Sequence, residues 1–140
     1  MQGNITFSII KPNAVRTGKT GPILAMMNEG GFEIAAMRMV RMTLQQAESF
    51  YEIHKGKPFF EGLIEFMTSG PVVTIALQKE NAIADYRKLI GATDPAKAEE
   101  GTVRKLYASN VQENAVHGSD SVENGKIEVA FFFSEAELAG

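Results

Sequence analysis

Val72-Val73-Thr74-Ile75-Ala76-Leu77 follows directly on Gly70-Pro71 and is the clearest strand of the chain, a compact apolar and β-branched run behind a turn signal. Asn4 to Ile10 has the same character and stops at Lys11-Pro12, where proline removes a ladder donor and leaves Lys11 at the strand's mouth. Around these two runs apolar residues recur at helical spacing. Ile23, Leu24, Met26 and Met27 close at Gly30-Gly31, with Thr20 before Gly21-Pro22 reading as their N-cap. Leu44, Ala47, Phe50 and Tyr51 follow a Thr43/Gln46 capping-box pair, and Phe60, Leu63, Ile64 and Met67 run up to Gly70. Ile83, Tyr86, Leu89 and Ile90 end at Gly91, and Val103, Leu106 and Tyr107 suggest a helical turn inside the long connection that begins at Thr93-Asp94-Pro95. With Phe32 to Met42 as a further strand, the pattern fits an α+β chain, a small antiparallel sheet with helices on one face, better than a doubly wound sheet. The tail stays open. Ile127 to Phe133 has strand propensity, yet Asp120 and Glu123 could open a helix at Ser121.

A chain of 140 residues with 44% hydrophobic content is enough for one domain, 1–140, with a core that needs no staples. There is no cysteine, which excludes disulfides and thiolate zinc sites and is compatible with a reducing cytosol. The start, Met1-Gln2-Gly3-Asn4-Ile5, lacks a basic region followed by a long apolar one, so a cytoplasmic protein without a membrane span is expected. With 14 basic against 17 acidic residues, bulk charge indicates neither a nucleic-acid nor an anionic-membrane surface. Any anion site must be local.

One of the two histidines lies in Asn114-Ala115-Val116-His117-Gly118-Ser119-Asp120-Ser121. Glycine there allows close backbone approach, and the hydroxyls and carboxylate can partner an imidazole, a plausible nucleophile setting and equally a solvated turn. Gly18-Lys19-Thr20 resembles the tail of a P-loop, but its head is missing, since Asn13 stands where the first glycine belongs and Pro12 removes an amide. A surface turn is the better reading. Lys11, Arg87 and Arg104, on separate elements, could converge on a polyphosphate, or each could be a solvated charge. Phe59 could stack on a nucleobase or be core, and Glu128 could orient His117 or be exposed. Neither histidine has a second imidazole or thiol at ligand spacing, so no protein metal site is expected.

Taken together, these segments resemble the nucleoside diphosphate kinase family along nearly the whole chain. Asn114-x-x-His117-Gly118-Ser119-Asp120 is similar to the family's phosphohistidine signature. Ser8-Ile9-Ile10-Lys11-Pro12, Lys57-Pro58-Phe59-Phe60, Ser69-Gly70-Pro71-Val72 and Gly91-Ala92-Thr93-Asp94-Pro95-Ala96 are similar to further blocks in the family's order. The resemblance implies a ferredoxin-like sandwich with a four-stranded antiparallel sheet, His117 on or beside the last strand and Glu128 on the following helix. It implies ping-pong transfer of the γ-phosphate of a nucleoside triphosphate to a diphosphate through His117, with Glu128 bonded to Nε2 and Ser119 supporting that carboxylate. It further implies that Lys11, Arg87, Arg104, Thr93 and Asn114 hold phosphates and ribose hydroxyls, that Phe59 stacks on the base, and that Tyr51 lies near Lys11. Mg2+ would be held mainly by the nucleotide's own phosphates, and members assemble as homo-oligomers, tetramers or hexamers. A catalytically silent nucleotide-binding domain of the same fold is the competing reading. Two departures stand out: Asn13, where many members have Asp, expected to serve as an acceptor at a loop start, and Lys105-Leu106, which bears on the packing around Arg104.

Overall fold

Strand β1 (Ile5–Ile10) runs straight into helix α1 (Pro12–Arg16) at Lys11, a single residue that ends one element and opens the next. The computed structural model describes residues 4–139, so the reading of the first three residues and of Gly140 lies outside the described residues. After α1 come α2 (Thr20–Glu29), β2 (Glu33–Val40), α3 (Leu44–Phe50), α4 (Phe60–Met67) and β3 (Val72–Gln78). The chain continues through α5 (Ala82–Ile90), α6 (Val103–Tyr107), β4 (Val116–Gly118) and α7 (Val122–Phe132), with short 3-10 turns at Glu52–His54, Pro95–Lys97 and Glu135–Glu137.

The four strands form one antiparallel sheet in the order β2-β3-β1-β4, the order of a ferredoxin-like sandwich, so the expected fold class is found. β1 pairs along its whole length with β3, from Ile5 opposite Gln78 to Ile10 opposite Val73. β4 closes the other edge of β1 for three residues only and sets His117 opposite Ile9. Helices cover both faces of this sheet, not one. Phe7, Ile9 and Ala76 pack under α3, α4 and α7, through residues such as Ala47, Ile64, Met67, Val129 and Phe132. Ile10, Ile75 and Leu77 pack on the opposite side against Ala14, Ile23, Met27, Tyr86, Ile90 and Val103. The reason is in the strands themselves: Thr6 to Ile10 and Val72 to Leu77 are buried at every position, without the polar alternation of a half-solvated sheet. Each large side chain so buried is worth roughly 1.5–3 kcal/mol, which outweighs any single local preference.

That weight decides the tail. Ile127 to Phe133, strand-like by composition, lies largely within α7, because Ser121 caps its first turn by accepting from Asn124 N at 3.1 Å and the helical period turns Val129 and Phe132 into the core. Phe132 stacks on Phe7 at 5.3 Å between ring centroids. Thr43 and Gln46 form the expected reciprocal box, each side chain bonded to the other's backbone N–H at 3.1 and 2.9 Å.

Three local readings change. Pro12 is the first residue of a helix as well as the end of a strand, since its missing N–H falls among donors that have no intrahelical acceptor in any case. Thr20 is the first residue of α2, not its cap; Gly18, at φ +77°, makes the turn and Lys19 takes the cap position. Asn13 sits in α1 rather than at a loop start, and its amide donates to Glu113 O at 3.1 Å.

Candidate active site

His117 and Glu128 come from consecutive elements, the edge strand β4 and the helix α7, which packs on its neighbour β1. The turn before β4 is tight. Ala115 has φ +74°, and Val116 N donates back to Asn114 O at 2.9 Å, closing a three-residue turn that costs about 1–3 kcal/mol for a residue with a side chain. The surroundings hold it there: Ala115 is fully buried and its carbonyl accepts from Lys11 N at 2.8 Å. The turn delivers Asn114 to the end of β1, where its Oδ1 accepts from Lys11 Nζ at 2.8 Å.

Gly118, next to the histidine, faces α5. A Cβ there would lie 2.9 Å from Ile90 Cδ1 and 3.2 Å from the Tyr86 ring, so its lack of a side chain lets α5 press against β4. Gly118→Ala is expected to lower stability by about 1–3 kcal/mol, read as a lower urea midpoint with an unchanged slope. An unchanged midpoint would mean that α5 does not bear on this strand.

The imidazole is 18% exposed and its Nε2 lies 2.8 Å from Glu128 Oε1. A carboxylate only accepts, so Nε2 carries the proton and, in the neutral ring, Nδ1 keeps its lone pair. Ser119 Oγ donates to the same carboxylate oxygen at 2.8 Å and accepts from Phe7 N at 3.0 Å, tying the pair to the centre of the sheet. Three rings bracket the imidazole: Phe50 at 5.5 Å, Phe7 at 6.0 Å and Tyr51 at 6.4 Å.

His117 lines a cleft of about 570 Å³ that also receives Lys11, Arg87, Arg104, Thr93 and Asn114, with Tyr51 and Phe59 among its aromatic lining. Lys11 and Arg104 are buried, at 7% and 8% exposure, while Arg87, Thr93 and Phe59 are exposed. Arg104 is fixed by donating to Gly91 O at 3.0 Å and Val116 O at 2.8 Å, and its Nε is buried without a partner. Burial, then the Arg104 charge, brings Lys11 down to about 7, and burial, with Arg87 nearby, brings Arg104 down to about 10. Burial, reinforced by the Glu128 charge, raises the Tyr51 hydroxyl, which therefore stays a neutral donor, and it too has no partner. Buried cations and an unbonded hydroxyl on side chains that line one cavity are costly unless an anion enters. Lys105 and Leu106 point outward from α6 and leave the Arg104 anchoring intact.

Of the alternatives left open by sequence, Phe59 is 49% exposed at the cleft mouth rather than core, and Gly18-Lys19-Thr20 lies on the surface away from this cleft. Phe50, Val111, Gln112 and Asn124 also line the cleft and carry no motif that singles them out; Asn124 was reachable only by its helical spacing from Asp120, whose Oδ1 it holds at 2.6 Å. Among the described residues no group of three or more His, Asp or Glu is placed to hold a metal ion, and no helix is long and apolar enough to cross a membrane.

A family model described as nucleoside diphosphate kinase matches residues 4–138. The chain is 57% identical to the nucleoside diphosphate kinase of Phenylobacterium zucineum, over 96% of its own length and 97% of that protein. It is 54% identical to that of Methylorubrum populi, over 99% of both. Among solved structures it resembles the nucleoside diphosphate kinase of Aquifex aeolicus with a TM-score of 0.94 and 40% identity, covering 97% of this chain and 99% of that one. It also resembles a halophilic nucleoside diphosphate kinase from Halobacterium salinarum in complex with CDP, with a TM-score of 0.94 and 34% identity over 99% of this chain and 92% of that one.

Proposed function

The chain belongs to the nucleoside diphosphate kinase family, and from that membership we propose how the residues of its cleft divide the family's reaction. It moves the γ-phosphate of a nucleoside triphosphate to a nucleoside diphosphate in two half-reactions through a phosphohistidine. In the first, the Nδ1 lone pair of His117 forms a bond to the γ-phosphorus while the bond to the bridging oxygen breaks and its electron pair leaves with the diphosphate. In the second, a terminal oxygen of the acceptor diphosphate attacks that phosphorus and the electron pair of the N–P bond returns to Nδ1. The Nε2 proton stays between the ring and Glu128 throughout, so the ring can accept positive character without changing tautomer.

Little else is needed in such a transfer beyond alignment and charge. We assign Lys11, Arg104 and the Tyr51 hydroxyl to the transferring phosphoryl group, because they are buried beside His117 and the last two have unsatisfied donors. Arg87 and Thr93, exposed members of the lining, are assigned to the preceding phosphates, and Asn114, held by Lys11, to a ribose hydroxyl. Phe59 is assigned to the base; stacking is indifferent to base identity, which gives broad tolerance. The family's chemistry is consistent with divalent-metal use, and we take the ion to be Mg2+. The carboxylates lining the cleft are Glu128, committed to His117, and Asp120 at the rim, a donor set that suits an ion carried in mainly on nucleotide phosphates. When bound, it would neutralise phosphate charge. The chain is further read as one domain, 1–140, acting in the cytoplasm as a tetramer or hexamer on free nucleotides, with no nucleic-acid partner.

The observation that carries these roles is the Ser119–Glu128–His117 chain opening onto a cavity lined by Lys11, Arg87 and Arg104. Incubation with γ-labelled ATP and Mg2+ is expected to leave an acid-labile, alkali-stable label on His117 that transfers fully to CDP. Nucleotide binding without any label would identify a silent binder instead.

A further inference from the structure

Phe50, the last residue of α3, is half-buried and lines the same cleft. Its ring stands edge to face with His117, centroids 5.5 Å apart at 73°, and in the same way with Phe131 at 5.5 Å and 76°. It also touches Phe132 at 5.5 Å and Phe7 at 5.6 Å. Phe131 and Phe132 lie one turn beyond Glu128 on α7, so a single ring from α3 is wedged between the strand that carries the imidazole and the helix that carries its carboxylate. Phe7 makes a similar bridge from inside the core; Phe50 makes it from the side where water enters.

Resting on the reading of His117 as phosphoryl carrier, we propose that Phe50 is a positioning residue, which acts through His117 by holding the imidazole in line with the cleft and in register with Glu128. The Nε2–Oε1 bond constrains one end of the ring and leaves it free to rock about the bond to Cβ. Edge-to-face contact blocks that motion, because the neighbouring rings meet at geometries set by their quadrupoles and cannot slide freely. Small displacements of a nucleophile are costly: an error of about 1 Å is worth on the order of a hundredfold in rate.

Phe50→Ala and Phe50→Leu are compared with Phe131→Ala, which removes a ring of the same cluster that touches Phe50 but is not in contact with His117. Phosphorylation of His117 by ATP is followed in a single turnover, ADP affinity by equilibrium binding, and the ring tautomer by nitrogen-15 NMR of labelled histidine. Phe50→Ala is expected to slow phosphorylation by roughly ten- to a hundredfold with ADP affinity within about twofold, and to add the Nδ1–H tautomer to a spectrum that otherwise shows only Nε2–H. Phe50→Leu, which restores bulk but not the ring, should recover only part of the rate, and Phe131→Ala should leave rate and tautomer near wild type. Should Phe50→Ala fail to fold, Phe50→Val carries the same expectation. Equal losses in the Phe50 and Phe131 variants, or a slowed Phe50 variant with an unchanged tautomer, would overturn the proposal. Failure of wild-type protein to take label at all would instead overturn the assignment of His117, which the tautomer spectrum does not depend on.

Discussion

His117→Ala is expected to reduce nucleoside diphosphate kinase turnover by roughly 10⁴-fold or more while ADP still binds within a few-fold of wild type. The cleft's other side chains are poorly set to receive the phosphorus: Tyr51 is held neutral by burial, the two carboxylates are either engaged by His117 and Ser119 or lie at the rim, and His54, the second imidazole of the lining, has its Nδ1 buried. Binding survives because Lys11, Arg87 and Arg104 do not rest on the imidazole; Arg104 is held by the backbone carbonyls of Gly91 and Val116, which truncation of the side chain leaves in place. Truncation leaves Glu128 with Ser119 as its remaining partner in a pocket walled by Phe7 and Phe50, a small space that water can enter from the cleft. The measurement is steady-state turnover beside equilibrium titration with ADP. Loss of both would mean that the imidazole builds the cleft rather than reacts in it.

Lys11→Met is expected to lower kcat/KM by roughly 10²–10³-fold, the cost of removing one preorganised donor from developing charge, and at the same time to make the protein more stable near pH 6. The sign follows from burial. Folded Lys11 is brought down to about 7 by desolvation and then by Arg104, whereas in the unfolded chain it keeps its ordinary value of 10.5. Between these limits the unfolded chain binds more protons, so stability rises with pH across that interval; below pH 7 the full penalty of a buried charge is present. Methionine removes the penalty and flattens the dependence, which urea midpoints at pH 6 and pH 9 would read out. Nucleotide binding runs the opposite way. Phosphate oxygens favour charged Lys11, so binding takes up a proton above pH 7 and kcat/KM of the wild type should fall by up to tenfold per pH unit, a slope absent in Lys11→Met. Identical pH profiles in the two proteins would separate Lys11 from the phosphates. Residue choice here favours function over stability, as is common at sites that must hold an anion.

The parts of this fold that were legible in the sequence are those in which local preference and burial agree. Val72 to Leu77 is apolar, β-branched and bounded by Gly70-Pro71, and its pairing along β1 rewards the same residues. The Thr43/Gln46 box needs only the chain between its members. The tail was illegible by periodicity, because Ile127 to Phe133 satisfies either element, and the family resemblance chose the helix that the core then requires. Helix placement on both faces escaped the pattern, since burial at every strand position says that two covers are needed only once the strands are known to sit side by side.

The site divides in the same way. Which atoms can do chemistry was written in residue types: an imidazole beside Gly-Ser-Asp, guanidinium and ammonium groups for phosphates, a carboxylate eleven positions on, from His117 to Glu128. That they form one apparatus was not, because Lys11, Arg104 and His117 reach a common cleft through β1, α6 and β4, and only a closed sheet brings those ends together. The strained turn at Ala115 and the wedge at Phe50 have no local signature at all. Local sequence determines which conformations a short stretch prefers and which reactions its side chains permit; distances between remote residues, and the burial that brings Lys11 down to about 7, exist only when the whole chain has excluded water from between them.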